Sequence, residues 1–298
     1  MVIGGATATG KTEFALRVAE RLELSILNAD SRQFYAEMNI GTAKPTAAEL
    51  ARAPHHFVGH RSVHDDYNVG NYERDALDLL ETTIFPQRPI ALLVGGSGLY
   101  IRAVCEGLDA FPDISTEVNE RWRQLHRERG LAYLQSELAR RDPLYFSTVD
   151  QQNPVRLLRA LTVCEVAGRP YSSFLGQPKP ERPFIPVYFH LKEHRPALYQ
   201  RIDQRVERMI ARGLEAEALS LYPLRHLNAL QTVGYQEWYP YFAGERSRTE
   251  AIRLIKRNSR RYAKRQMTWF GNQGAFETVS FDHVEAVIGR LRNLMGSG

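Results

Sequence analysis

Eight consecutive residues near the start of the chain, Gly5-Ala6-Thr7-Ala8-Thr9-Gly10-Lys11-Thr12, have the types and spacing that hold a phosphate. They fit G-x-x-x-x-G-K-[ST] and stand between an apolar run and an amphipathic one, the strand and helix that such a loop requires. Glycines there let backbone N–H groups converge on phosphate oxygens. The helix N-terminus adds its dipole, Lys11 a point charge, and the Thr12 hydroxyl can hold Mg²⁺. A chance glycine turn has the same composition but not this context.

A phosphate loop does not by itself mean nucleotide hydrolysis. That chemistry needs a carboxylate, usually at the end of a second apolar strand, to hold the metal's water shell. The apolar run Ile90–Val94 ends instead in Gly95-Gly96-Ser97-Gly98, with no acid. Another run ends in Asn28-Ala29-Asp30-Ser31-Arg32-Gln33, and strand carboxyl ends line the ligand crevice of a doubly wound sheet. Asp30 there can bind a metal or act as a general base, and it can equally cap a turn. Ser97 has the same two readings, helix cap or phosphate-directed hydroxyl. In Arg201–Arg208 a spacing of four puts Arg201 and Arg205 on one helix face, as phosphate ligands or as solvated charges.

These residues need elements to position them. Short apolar runs alternate with amphipathic stretches as in βαβ units: strands at 1–4, 24–29 and 89–94, helices at 11–22, 70–85 and 97–105. The apolar run 185–191 can return a further strand to the same sheet, making the stretch from about 111 to 183 an insertion. That stretch reads as helices at 117–129, 131–141 and 154–167 and closes with the proline-rich connector Gly176–Pro183. Helices at 196–212, 215–222, 249–270 and 283–295 fill the C-terminal third. The expected fold is an α/β, P-loop NTPase-like parallel sheet flanked by helices, with an inserted all-helical domain and a helical C-terminal part. The core would comprise 1–110 and about 184–298, and the insertion about 111–183.

Composition bounds the function. Of 298 residues 43% are hydrophobic, enough for a buried core. The two cysteines, Cys105 and Cys164, stand far apart outside any metal-ligand spacing, as thiols do in a reducing cytoplasm. No apolar run has transmembrane length, and the strand and glycine loop that follow Met1 leave no room for a signal peptide, so a cytoplasmic protein is expected. The net charge is +5, but nine Lys and Arg against one acid fall between Arg246 and Arg265, a local +8. A basic segment thus rides on a mildly acidic body, which suggests a polyanionic partner at one place.

The set as a whole resembles the tRNA dimethylallyltransferases, which prenylate adenosine 37 beside the anticodon. The resemblance is carried, in family order, by Gly5–Thr12, Asn28–Tyr35, Ile40–Pro45, Pro54-His55-His56, Leu93–Tyr100, Arg156–Leu161, Val233-Gly234-Tyr235 and Ala263–Phe270. It implies that Gly5, Ala6, Thr7, Ala8, Thr9, Gly10, Lys11 and Thr12 grip the diphosphate of dimethylallyl diphosphate rather than ATP, with Mg²⁺ on Thr12. It implies catalytic roles for Asp30, Ser97 and Arg205, Asp30 taking the proton of adenine N6. Ser97 stands where the family usually has threonine. The resemblance implies tRNA contacts at Asp30, Ser31, Arg32, Gln33, Ser97, Val155, Arg156, Leu157, Leu158, Arg159, Gln231, Gly234, Tyr235, Arg261 and Arg265, the last two on a basic helix that interleaves cations with Tyr262, Trp269 and Phe270.

Val155 and Asn119 depart from the family pattern and put those individual contacts in doubt. His55 and His56 match it but have no partners at metal spacing, and read as structural. A monomer suffices, and the lack of a zinc-finger extension implies the bacterial type. A P-loop kinase, an adenylate isopentenyltransferase and an RNA-binding protein with a vestigial loop are the competing readings. The ordered later motifs and the basic helix argue against the kinase, the long helical insertion and basic helix against the free-nucleotide enzyme, and the intact Gly10, Lys11, Thr12 and Asp30 against a vestigial loop.

Overall fold

The structure, a computed structural model, describes residues 1–296, and the chain divides into two compact units, Gly107–Glu181 and the remainder. The larger unit is built on one parallel sheet of six strands in the order β3-β2-β4-β1-β5-β6. These are β1 (Val2–Gly4), β2 (Ile26–Asn28), β3 (His55–His56), β4 (Leu92–Gly95), β5 (Tyr188–Leu191) and β6 (Glu277–Val279). The run at 185–191 does return to this sheet, pairing with β1 from Val2 opposite Tyr188 to Gly4 opposite His190. Parallel sheets are covered on both faces, and the strands alternate accordingly. Ile3, Leu92, Val94 and Leu191 pack with Phe14, Leu16 and Ile288 on one face; Val2, Leu27 and Leu93 pack with Tyr72, Ile101 and Phe270 on the other.

Helices follow the strands: α1 (Lys11–Leu22), the short α2 (Ala47–Leu50), α3 (Val69–Leu79) and α4 (Gly98–Glu106). The helix expected at 70–85 is interrupted, since α3 passes into a π-helical turn over Leu80–Ile84. The two edge strands were not foreseen. β3 is the His55-His56 pair, held to Ile26 and Leu27, and the β6 residues Glu277 and Thr278 are exposed on an edge, so neither shows an apolar run.

In the smaller unit, α5 (Thr116–Arg141) is broken at Gly130, whose φ of 75° and ψ of −174° separate the two helices expected there. With α6 (Pro143–Phe146) and α7 (Pro154–Ala167) it encloses a core of Trp122, Leu134, Leu138, Leu157 and Leu161. The buried Asp142 ties this unit together, accepting hydrogen bonds from Tyr145 N, Ser172 N and Ser172 Oγ. The proline-rich connector has no regular structure, and the boundary falls within it, at Glu181 rather than Pro183.

Back in the larger unit, α8 (Arg195–Ala211), α9 (Leu214–Ser220), α10 (Tyr239–Phe242), α11 (Arg248–Gly271) and α12 (Val284–Gly296) complete the chain. Ser247 caps α11, its side chain accepting from Glu250 N. Among the described residues no helix is long and apolar enough to cross a membrane.

Candidate active site

The order of the sheet makes β1 the strand where the connections change direction, and its carboxyl end is where the phosphate loop begins. Gly5 takes φ 155°, and a side chain there would lie 2.6 Å from the Leu191 carbonyl. Ala8 and Gly10 both have positive φ, 65° and 93°, and Gly10 opens α1. Thr9 Oγ1 and Lys11 Nζ both donate to the Ala6 carbonyl, at 2.9 and 2.7 Å. Burial pushes the Lys11 ammonium down to about 7, against the pull of Asp30 and with the help of Arg205. Arg205 on α8 donates to Thr7 Oγ1 at 2.9 Å, and burial works against its charge as well. Two desolvated cations thus stand beside the loop, where an anion would be favoured. A cavity of about 470 Å³ opens over Lys11, Thr12, Asp30 and Arg205. Arg201 reaches its edge but pairs with Glu193 at 2.7 Å, which separates it from Arg205.

Asp30 both caps a turn and lines the site. Its Oδ1 accepts from Arg32 N at 3.0 Å, and the residue borders this cavity and a second one of about 320 Å³. The two cavities share Thr7, Asp30 and Arg205. The second has a floor of Ile202, Val206, Met209 and Ile255 and a polar rim formed by Ser31, Arg32, Gln231, Tyr262 and Arg265. It therefore joins an apolar recess to hydrogen-bonding groups, directly beside the cationic loop.

Ser97 lines neither cavity. Its hydroxyl accepts from Ser31 N at 3.3 Å, so it braces the Asp30 turn. Gln33 also turns away from the second cavity, its amide donating to the Thr42 and Ala43 carbonyls at 3.1 Å. Arg32 is held by the carbonyls of Asn228 and Ala229. Gln231 donates to the Arg225 carbonyl. Gly234 N donates to Glu237 Oε2 at 2.9 Å.

Two side chains expected to touch tRNA are instead core. Tyr235 is fully buried, its hydroxyl donating to Glu217 Oε1 at 2.6 Å, and Leu157 is fully buried in the helical unit. Each adjoins an exposed residue, Gln236 and Arg156 respectively. On the helical unit Val155, Arg156 and Arg159 are exposed, Arg159 lying over the Phe111 ring, whereas Leu158 and Asn119 are half-buried.

The basic segment is less free than its charge suggests. Arg248, Arg253, Lys256 and Arg260 pair with Glu215, Glu250, Glu207 and Asp203, respectively. Arg261, Lys264 and Arg265 stay exposed, Arg265 above the Tyr262 ring and on the cavity rim.

Sequence reasoning passed over Gln266. This buried residue of α11 accepts from Thr7 N at 2.9 Å and donates to Gly96 O at 2.8 Å. It ties the phosphate loop to the turn after β4 with its amide in the one orientation that satisfies both groups. The glycine beside it was the available signal: a side chain at Gly96 would come within 2.3 Å of the Gln266 amide nitrogen.

The comparisons with known proteins agree with one another. The IPP transferase family model matches residues 33–273. The chain is 47% identical over 278 residues to a tRNA dimethylallyltransferase of Christiangramia forsetii, covering 93% of this chain and 92% of the relative. It is 46% identical over 294 residues to tRNA dimethylallyltransferase 2 of Porphyromonas gingivalis, covering 99% and 97%. The solved structure of a tRNA isopentenylpyrophosphate transferase from Bacillus halodurans superposes with a TM-score of 0.71 at 30% identity, over 98% of this chain and 95% of that one. The chain thus belongs to the tRNA dimethylallyltransferase family of enzymes.

Proposed function

We propose that this site transfers the dimethylallyl group of dimethylallyl diphosphate to N6 of adenosine 37 in a tRNA anticodon loop, releasing diphosphate. The observation that carries this reading is the meeting of a cationic cavity and an apolar-floored one at Thr7, Asp30 and Arg205. The diphosphate fits the loop, the allyl chain the apolar floor, and a base the polar rim. An allylic C1 beside Asp30 then lies between leaving group and nucleophile.

The N6 lone pair forms the bond to C1 as the C1–O bond breaks, its electrons going to the diphosphate oxygen and the N6 proton to Asp30. Lys11 and Arg205 neutralise the departing charge, which grows as the bond lengthens; cations placed where charge develops lower the barrier. Diphosphate also offsets the desolvation that lowers the Lys11 pKa, so donor binding restores that ammonium. Among the described residues no cluster of three or more His, Cys, Asp or Glu could cage a metal. The donor set nonetheless suits Mg²⁺, which takes one or two protein oxygens and otherwise phosphate and water. Thr12, with Asp30 nearby, would hold it, and it would add positive charge at the leaving group.

The acceptor base must leave its stack to enter the cavity, at less cost in a loop than in a duplex. Arg261, Lys264 and Arg265, with Arg156 and Arg159 of the helical unit, would contact the RNA backbone. The test offers the purified protein labelled dimethylallyl diphosphate or γ-labelled ATP, with Mg²⁺ and unmodified tRNA. Label from the first and none from the second is the expected outcome. Phosphoryl transfer from ATP would favour a kinase instead.

A further inference from the structure

Glu217 belongs to none of the motifs, yet it makes the densest set of hydrogen bonds by any side chain near the site. From α9 its carboxylate accepts from three consecutive backbone N–H groups: Asn39 at 3.1 Å, Ile40 at 2.8 and 3.0 Å, and Gly41 at 2.9 Å. It also accepts the Tyr235 hydroxyl at 2.6 Å. Successive N–H groups converging on one anion form a nest, and here the anion is the protein's own.

What the nest holds is a wall of the second cavity. Gly41 and Thr42 line that cavity on one side, Val233 and Gly234 on another. The two segments are in close register. A side chain at Gly41 would lie 2.5 Å from the Tyr235 ring, and one at Gly234, where φ is 99°, would lie 3.3 Å from the Gly41 carbonyl. The loop from Tyr35 to Lys44 has no regular structure beyond one isolated bridge at Tyr35, so its shape depends on such ties. Lys44 takes the carbonyls of Tyr35 and Ala36, at 2.7 and 3.1 Å, while Glu217 takes the N–H groups. A cation on the carbonyls and an anion on the amides fix the loop from both ends.

We propose that Glu217 is a positioning residue for the acceptor: it sets the distance between the Gly41–Thr42 and Val233–Gly234 edges, and so the fit of the incoming base, without touching donor or reacting atoms. The inference rests on the acceptor being a nucleobase of RNA, as proposed above. In the Glu217→Gln variant an amide N–H₂ replaces one acceptor oxygen and faces donors, which loosens the wall while keeping the side chain's volume. The KM for unmodified tRNA should rise about tenfold. The kcat at saturation and the KM for dimethylallyl diphosphate should change less than about threefold, a split that a general loss of structure would not produce.

Tyr235→Phe removes one bond only and should raise the tRNA KM about threefold; it keeps the proposal testable should Glu217→Gln not fold. Direct binding of inorganic diphosphate to each variant reports whether the donor side is intact, and unchanged binding is expected. An unchanged tRNA KM in either folded variant overturns the proposal, as does a loss of diphosphate binding equal to the loss for tRNA. A wild-type protein that transfers no label to tRNA defeats the underlying reading and this inference with it. An active wild type with indifferent variants defeats the inference alone.

Discussion

The two sides of the site are built in opposite ways. The donor side centres on one stretch of chain, Gly5–Thr12, whose backbone would hold the diphosphate and whose shape follows from Gly5, Ala8 and Gly10, with segments 28–33, 43–49, 94–96 and 201–212 around it. The acceptor side draws on five separated segments, 30–32, 41–42, 202–209, 231–236 and 255–265, and its shape is set by side chains reaching between them. A contiguous loop carries its geometry in its own dihedral angles. A composite wall holds its geometry only as well as Arg32, Glu217 and Glu237 hold the backbones they clamp. Damage to the first should therefore appear as lost chemistry and donor affinity, and damage to the second as lost acceptor fit.

The largest effect is expected where the two sides meet. Asp30→Ala should lower turnover by about 10²–10⁴, the usual cost of removing a positioned base, while a filter-binding assay finds tRNA affinity within a few fold of wild type. Near-normal turnover would take Asp30 out of the proton transfer.

A pH dependence should belong to the donor side alone. Free Lys11 is held at about 7 and bound diphosphate favours its ammonium, so above pH 7 binding must take up a proton. Affinity for inorganic diphosphate should then fall by up to about tenfold per pH unit above 7 through this group, by linkage. Lys11→Met should bind more weakly at pH 7 and lose that component. The sign for the unliganded fold is opposite. The unfolded lysine keeps its proton up to its ordinary 10.5, so the unfolded state holds more protons between about 7 and 10.5, and stability rises with pH across that window.

Gln266 lies on α11, which serves both sides, and Gln266→Leu should separate them. It leaves Thr7 N and Gly96 O without their partner, at about 1–3 kcal/mol each. The donor KM should rise by about tenfold, equivalent to roughly 1.4 kcal/mol, and thermal denaturation should show a lower midpoint. The tRNA affinity should move least. The smallest effect is expected at the RNA surface. Replacing Arg261 and Lys264 by alanine should flatten the salt dependence of tRNA binding, its log–log slope falling by about 0.7–0.9 for each phosphate left without its cation. Replacing Arg260, already paired with Asp203, should leave the slope unchanged.

The same contrast explains what could be read from the sequence. The phosphate loop, the missing acid after β4 and the strand returning at 188–191 were legible because each is written in contiguous residues. The edge strands β3 and β6 were not, being two and three residues long and carrying polar side chains. Motif membership placed Tyr235 and Leu157 among RNA contacts, but a motif does not say which of its side chains turns inward, and the core took both. The local +8 overstated the cationic surface because acids from outside the segment, Asp203, Glu207 and Glu215, answer three of its charges. Gln266 and Glu217 needed the fold, since each acts on backbone far away in the chain.

On the proposed function, the diphosphate loop delivers an allyl group to a base held beside Asp30. Its most direct test locates the product: unmodified tRNA is incubated with the protein, Mg²⁺ and labelled dimethylallyl diphosphate, then digested and sequenced for the labelled nucleoside. Label is expected on N6 of adenosine 37 and absent in Asp30→Ala. Label at another nucleotide, or equal label with and without Asp30, would contradict it.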